Sequence, residues 1–142
     1  MRYIPKYFKP QEFLPNDLYA IYGVEGLYLM DDRILWTMDA LRSYFNKPIT
    51  INNFFNGGSY NQRGYRNDTN VGAKFSAHRY GRACDADVSG YTAEEVRQVI
   101  KDGKLGDIMK YITRIEDNVN WLHLDCMGLP RETGQPIEFF HA

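Results

Sequence analysis

The ten residues Ser76-Ala77-His78-Arg79-Tyr80-Gly81-Arg82-Ala83-Cys84-Asp85 constrain this chain more than any other stretch. They follow the pattern S-x-H-x-x-G-x-A-x-D. A histidine and a carboxylate seven residues apart, with a small-residue turn between them, can supply two ligands to one zinc ion. A third ligand is available at His123, within Trp121-Leu122-His123-Leu124-Asp125. Two imidazoles and one carboxylate leave a fourth tetrahedral position for water, which is how catalytic zinc sites differ from closed structural ones. The fold must therefore bring residue 123 back beside residues 78 and 85, and the donor set points to a zinc hydrolase.

Around that motif the chain alternates helical and strand-like patterns. Ile34, Leu35, Met38, Leu41 and Phe45 recur at helical spacing, which predicts a helix over 31–46, capped by Asp31 or Asp32 and ended by Lys47-Pro48. Thr92-Ala93-Glu94-Glu95 is a capping box that opens a second helix, with Val96, Val99 and Ile100 as its apolar face and Gly103 at its end. A short helix is expected over 105–110. Strands are expected over 49–55, 83–89, 111–116 and 120–126, with a weak one over 136–140. Asp117-Asn118-Val119 reads as the turn of a hairpin. Residues 1–30 are aromatic, broken by Pro5, Pro10 and Pro15, and expected to be irregular apart from a short helix over 15–22. Residues 56–72 form a long polar loop with four glycines, a length often tied to function. The expected fold class is α+β: a small antiparallel sheet carrying the zinc site, with helices packed on one face.

The motif pair S-x-H-x-x-G-x-A-x-D and W-x-H resembles the zinc D-alanyl-D-alanine carboxypeptidases and their relatives. Among these are the phage L-alanyl-D-glutamate endolysins, and the metal-binding fold is shared with hedgehog signalling domains. Every fixed position of the first motif is matched, and the resemblance spans residues 49–125. It implies one zinc ion held by His78, Asp85 and His123, and a peptidoglycan stem peptide as substrate. The third histidine, His141, matches no motif and reads as a surface residue.

Other positions follow from chemistry. Asp87 lies two residues beyond Asp85 and would share its strand face, so it is a rival ligand; the family pattern favours Asp85. Asp125 stands in the same relation to His123 and can orient a ligand by a hydrogen bond. Peptide hydrolysis also needs a proton shuttle. Many relatives carry Glu or Asp three residues before the last histidine, where this chain has Asn120; others carry His two before it, where this chain has Trp121. The expected general base is Glu116, with Asp117 as the alternative. Relatives bind a substrate carboxylate with an arginine ahead of the first motif. Arg63-Gly64-Tyr65-Arg66 offers Arg66, with Arg63 as the alternative. Ser76 would hydrogen-bond substrate or cap the local backbone, and Tyr60, Asn61 and Gln62 would line the same groove. Arg79 and Arg82 fill variable motif positions and read as exposed.

Composition narrows the classes. At 142 residues, 44% of them hydrophobic, the chain is expected to be one domain over 1–142 with a real core. A net charge of -1 and the lack of any basic run argue against nucleic acid and against a membrane surface. Cys84 and Cys126 are too few for a disulfide framework and read as buried thiols. No apolar leader with a cleavage site opens the sequence. The chain is therefore expected to be made in the cytoplasm, which suits a phage lysis protein or one carried in a virion, and to act as a monomer. The first functional expectation is a zinc peptidase cutting stem peptides, of carboxypeptidase or endopeptidase type. The alternative, favoured by Asn120, is a catalytically inactive zinc module for wall binding or a phage structural role.

Overall fold

The computed structural model describes residues 2–142. The fold is α+β. Its helices are α1 (Asn16–Tyr22), α2 (Asp32–Phe45) and α3 (Ala93–Lys101), and its strands are β1 (Ile49–Thr50), β2 (Ala83–Val88), β3 (Arg114–Glu116), β4 (Leu122–Asp125) and β5 (Glu138–Phe140). The strands form one sheet in the order β1-β2-β4-β3-β5. Every pairing is antiparallel except β3 with β5, which run parallel.

Alternation along the strands divides the sheet into two faces. Cys84, Ala86 and Val88 of β2 point the same way as Leu122 and Leu124 of β4 and Ile115 of β3, and all join the main hydrophobic cluster. Ile34, Leu35, Met38, Leu41 and Phe45 of α2, with Val96 and Ile100 of α3, cover that face. The opposite face presents Ala83, Asp85, His123, Asp125, Arg114 and Glu116. Both thiols are fully buried and unbridged, and burial pushes the Cys126 thiol up to about 11. Among the described residues no helix is long and apolar enough to cross a membrane.

The helices begin and end where their caps dictate. The Asp31 carboxylate accepts from the backbone N–H of Arg33 at 2.9 Å, and Asn46, at φ 51°, ends α2 in the left-handed region. Thr92 and Glu95 exchange hydrogen bonds at the start of α3, as the sequence predicts. The stretch expected as a short helix over 105–110 is a single 3₁₀ turn, Gly106–Met109.

Strand lengths differ from expectation. The strand predicted over 49–55 stops at Thr50, because the backbone N–H groups of Asn52 and Asn53 turn to Glu12 and Tyr60 rather than to a neighbouring strand. Pairing in β3 starts only at Arg114, and the expected three-residue turn widens to residues 117–121. That wider connection is organised by Arg97 of α3, only 2% exposed, which donates to the carbonyls of Val119 at 2.8 Å and Trp121 at 3.1 Å.

The N-terminal 30 residues carry more helix than their prolines suggest. Besides α1 they hold 3₁₀ segments at Pro10–Glu12 and Gly23–Leu29. They are tied down by Asp39 of α2, which accepts from the Tyr3 hydroxyl and from the backbone N–H groups of Lys6 and Tyr7. They also support the long loop. The Phe13 carbonyl accepts from Tyr65 N–H at 2.8 Å, and Gly64 crosses that carbonyl so closely that a Cβ would overlap it. This crossing fixes the Gly64 carbonyl, which the metal centre uses.

Candidate metal centre

Antiparallel register sets the first pair of side chains. Asp85 of β2 stands directly across from His123 of β4, and the two meet at 2.8 Å between Oδ1 and Nδ1. His78 comes from a 3₁₀ turn, Ala77–Tyr80, capped by the Ser76 hydroxyl, which accepts from the backbone N–H of His78 at 3.3 Å. Gly81 then reverses the chain at φ 68°, against the Leu29 carbonyl, where a Cβ has no room. The reversal returns the chain into β2 so that His78 Nε2 lies 3.2 Å from Asp85 Oδ1. One potential ligand atom from each of His78, Asp85 and His123 lies within 4.8 Å of the other two, and all three residues are buried.

The polar atoms of this cluster suit a metal. His78 Nδ1 donates to the Gly64 carbonyl at 2.8 Å, which leaves Nε2 as the lone-pair nitrogen. That Nε2 is buried and has no hydrogen-bond partner. An orphaned buried imidazole nitrogen beside a carboxylate is a cost that a cation removes. His123 Nε2 faces Asp125 Oδ2 at 2.9 Å, so its Nδ1 is the atom turned toward Asp85. Asp125 is fully buried and takes a two-pronged grip from Arg114, Nε to Oδ1 at 3.0 Å and Nη2 to Oδ2 at 2.9 Å. Ligand histidines commonly donate their second nitrogen to a carbonyl or carboxylate, and both do so here.

Electrostatics in the metal-free cluster follow from the same contacts. Burial raises the Asp85 pKa, but the hydrogen bond from His123 and the close approach of both imidazoles outweigh it and hold the carboxyl well below the usual range. Burial pushes the His123 imidazole down, yet Asp125 and Asp85 on either side lift it to about 9. A cation held there by His78, Asp85 and His123 would take the place of a proton, because all three groups bind metal in their deprotonated form.

The cluster opens into a cleft of about 370 Å³. Glu116, Arg66, Ser76 and Trp121 line it together with the three candidate ligands. Arg66 reaches Asp85 Oδ2 at 3.7 Å through Nη2 and Ser76 Oγ at 3.3 Å through Nη1. Ser76 thus both caps the local turn and faces the cleft. Asp117 is elsewhere: it pairs with Arg97 at 3.4 Å and Lys101 at 3.3 Å on the α3 side. Arg63 is also outside the cleft, stacked on Tyr60 and paired with Asp87 at 2.9 Å, which occupies the rival carboxylate as well. Tyr60, Asn61 and Gln62 do not line the cleft; Asn61 and Gln62 instead accept backbone N–H groups of Asn16, Asn67 and Asp68. Asn120 lines a separate depression beside α3, while Trp121 turns into the cleft with its indole N–H buried and unpaired.

A family model described as Peptidase M15 matches residues 6–125, most of the chain. The chain belongs to the peptidase M15 family. This is the family of the zinc D-alanyl-D-alanine carboxypeptidases, and the match begins well before the first motif. Searches of curated proteins and of solved structures each returned no match.

Two arginines in this M15 peptidase play parts that the sequence did not reveal. Arg114 grips Asp125, and its alternation with Glu116 on one strand was the available signal. Arg79, expected to be exposed, donates to the carbonyls of Asp68, Val71 and Ala73 and so pins the end of the long loop. His141 is exposed, as expected, and hydrogen-bonds Asn118 at the surface.

Proposed function

We propose that this protein is a zinc-dependent peptidase that hydrolyses peptidoglycan stem peptides. The observation that carries the proposal is the buried triad of His78, Asp85 and His123 with an unpaired His78 Nε2, set in a cleft beside a carboxylate and a guanidinium. Zinc held there by His78, Asp85 and His123 would supply Lewis-acid chemistry toward the amide carbonyl and a more acidic water.

The chain's own groups supply the rest. Glu116 takes a proton from the attacking water and passes it to the leaving nitrogen. The amide C–N bond breaks, the water oxygen ends on the carbonyl carbon, and the products are a carboxylate and an amine. Arg66 holds a substrate carboxylate, and Ser76 positions both the Arg66 guanidinium and the turn carrying His78. Arg114 and Asp125 fix the ring of His123 through Nε2. Asn120, which lines a different depression, takes no part in proton transfer.

Mass spectrometry of purified stem peptides after incubation with the zinc-loaded protein tests this reading. A new fragment that disappears when zinc is stripped is expected, and its mass names the bond. Bound zinc with every stem peptide left intact would overturn the peptidase in favour of a zinc module that binds the wall, with Asn120 in place of the relatives' acid as its mark.

A further inference from the structure

Arg66 lines the metal cleft, but its two neighbours in the chain line a different hollow. Tyr65 and Asn67 form one wall of a separate depression of about 470 Å³. The other wall comes from the N-terminal segment: Leu18 and Tyr22 of α1, then Glu25 and Tyr28 of the 3₁₀ stretch that follows. Three consecutive residues of the long loop thus separate this depression from the metal cleft. Its volume is of the size that takes a small ligand.

The two walls are fixed to one another. Asn67 Nδ2 donates to the Asp17 carboxylate of α1 at 3.0 Å, and Tyr65 N–H donates to the Phe13 carbonyl at 2.8 Å. The Arg2 guanidinium braces Tyr28, 3.8 Å from its ring centroid. Yet much of the aromatic surface stays open: Tyr28 is 71% exposed and Tyr22 55%. Among the described residues the hydroxyls of Tyr22, Tyr28 and Tyr65 make no hydrogen bond, and the exposed Glu25 makes no ion pair. This lining selects its ligand. Tyrosine joins an apolar ring to a polar tip, so three of them suit a ligand with both apolar faces and hydroxyl groups. A lipid or aliphatic partner would strand the hydroxyls and the Glu25 carboxylate. An anionic one would meet Glu25, the only charged group in the lining, as a like charge. A neutral sugar satisfies both demands, with its C–H faces on the rings and its hydroxyl or amide N–H groups donating to Glu25.

We infer that this depression is a saccharide site, which holds the neutral N-acetylhexosamine strand of the wall while a stem peptide lies in the metal cleft across residues 65–67. The choice of sugar rests on the peptidoglycan reading above, whereas the site itself stands on its lining. Holding the strand keeps the protein on its polymer and raises the concentration of stem peptides at the cleft.

Calorimetric titration of the zinc-loaded protein with the soluble N-acetylglucosamine tetramer tests the site. Saturable binding is expected, with a dissociation constant on the order of 1 mM. Tyr28→Ala and Tyr22→Ala, both at exposed positions, should each weaken it at least about tenfold while keeping a native circular dichroism spectrum. Glu25→Gln should weaken it in the same direction. No saturable binding, or an affinity unmoved by all three variants, overturns the inference. Sedimentation that shows a dimer lost in Tyr28→Ala would make the patch an interface between two copies, and overturns it too. The titration needs no catalysis. A protein that binds the tetramer but leaves every stem peptide intact keeps the saccharide site and loses the peptidase reading. One that cuts stem peptides without binding the tetramer loses the site alone.

Discussion

His123 has both ring nitrogens committed, one toward Asp85 and one to Asp125, and this makes Asp125 the residue that sets its orientation. Asp125→Asn keeps the size of the side chain but weakens the acceptor. It is expected to lower zinc affinity about 10- to 100-fold, read by competition with a chromophoric chelator. An unchanged affinity would show that the ring is oriented by the sheet alone. Glu116 stands apart from the ligands in the same cleft, so Glu116→Gln should retain zinc while turnover falls about 10²- to 10⁴-fold. Hydrolysis at the parent rate would remove Glu116 from the mechanism. Between Glu116 and Asp117 the difference is one residue and hence one strand face, which residue type alone does not reveal.

Among the elements, the connection between β3 and β4 depends most on a single side chain. Arg97 is buried beneath it, bonded to two of its carbonyls and paired with Glu94 at 3.0 Å and with Asp117. Arg97→Met strands those groups and is expected to destabilise the protein by about 3–5 kcal/mol in urea unfolding. A loss within about 0.5 kcal/mol would mean the connection holds itself. The start of α2 gives a pH signature. Burial raises the Asp31 pKa, but hydrogen bonds and charge from Arg33, with Arg82 nearby, bring it below its ordinary 3.8. A lowered carboxyl stabilises the fold fully above its unfolded value and loses that contribution as pH falls through the folded one. Stability of the parent should therefore drop more steeply than that of Asp31→Asn as pH falls below about 4. Parallel slopes in acid denaturation would rule this out. Both helix caps were legible beforehand because a cap is a local contact within four residues, whereas the Arg97 clamp joins elements that only packing brings together.

For the molecule as a whole, the core and the metal centre lie on opposite faces of one sheet. The helices bury their apolar stripes on the Cys84 and Leu124 side, so the apo-protein is expected to fold. Zinc at a hundred times its dissociation constant should add about 2.7 kcal/mol, raising Tm by roughly 5–10 °C, with a native circular dichroism spectrum retained after chelation. An unfolded apo-protein would mean the sheet needs its metal. The sequence alone determined the α+β class, the long helices and the pairing of His78 with a nearby carboxylate, because these are written in short-range spacing: a turn between two donors, a stripe every three to four residues, a cap beside its helix; His123 and the choice of Asp85 over Asp87 came from the family resemblance. Only the tertiary structure decided that Arg66 rather than Arg63 faces the cleft, that Asn120 lines another depression, that β5 runs parallel to β3, and that Arg114 grips Asp125. Each depends on strand register and on which segment crosses which, where a shift of one residue exchanges the two faces.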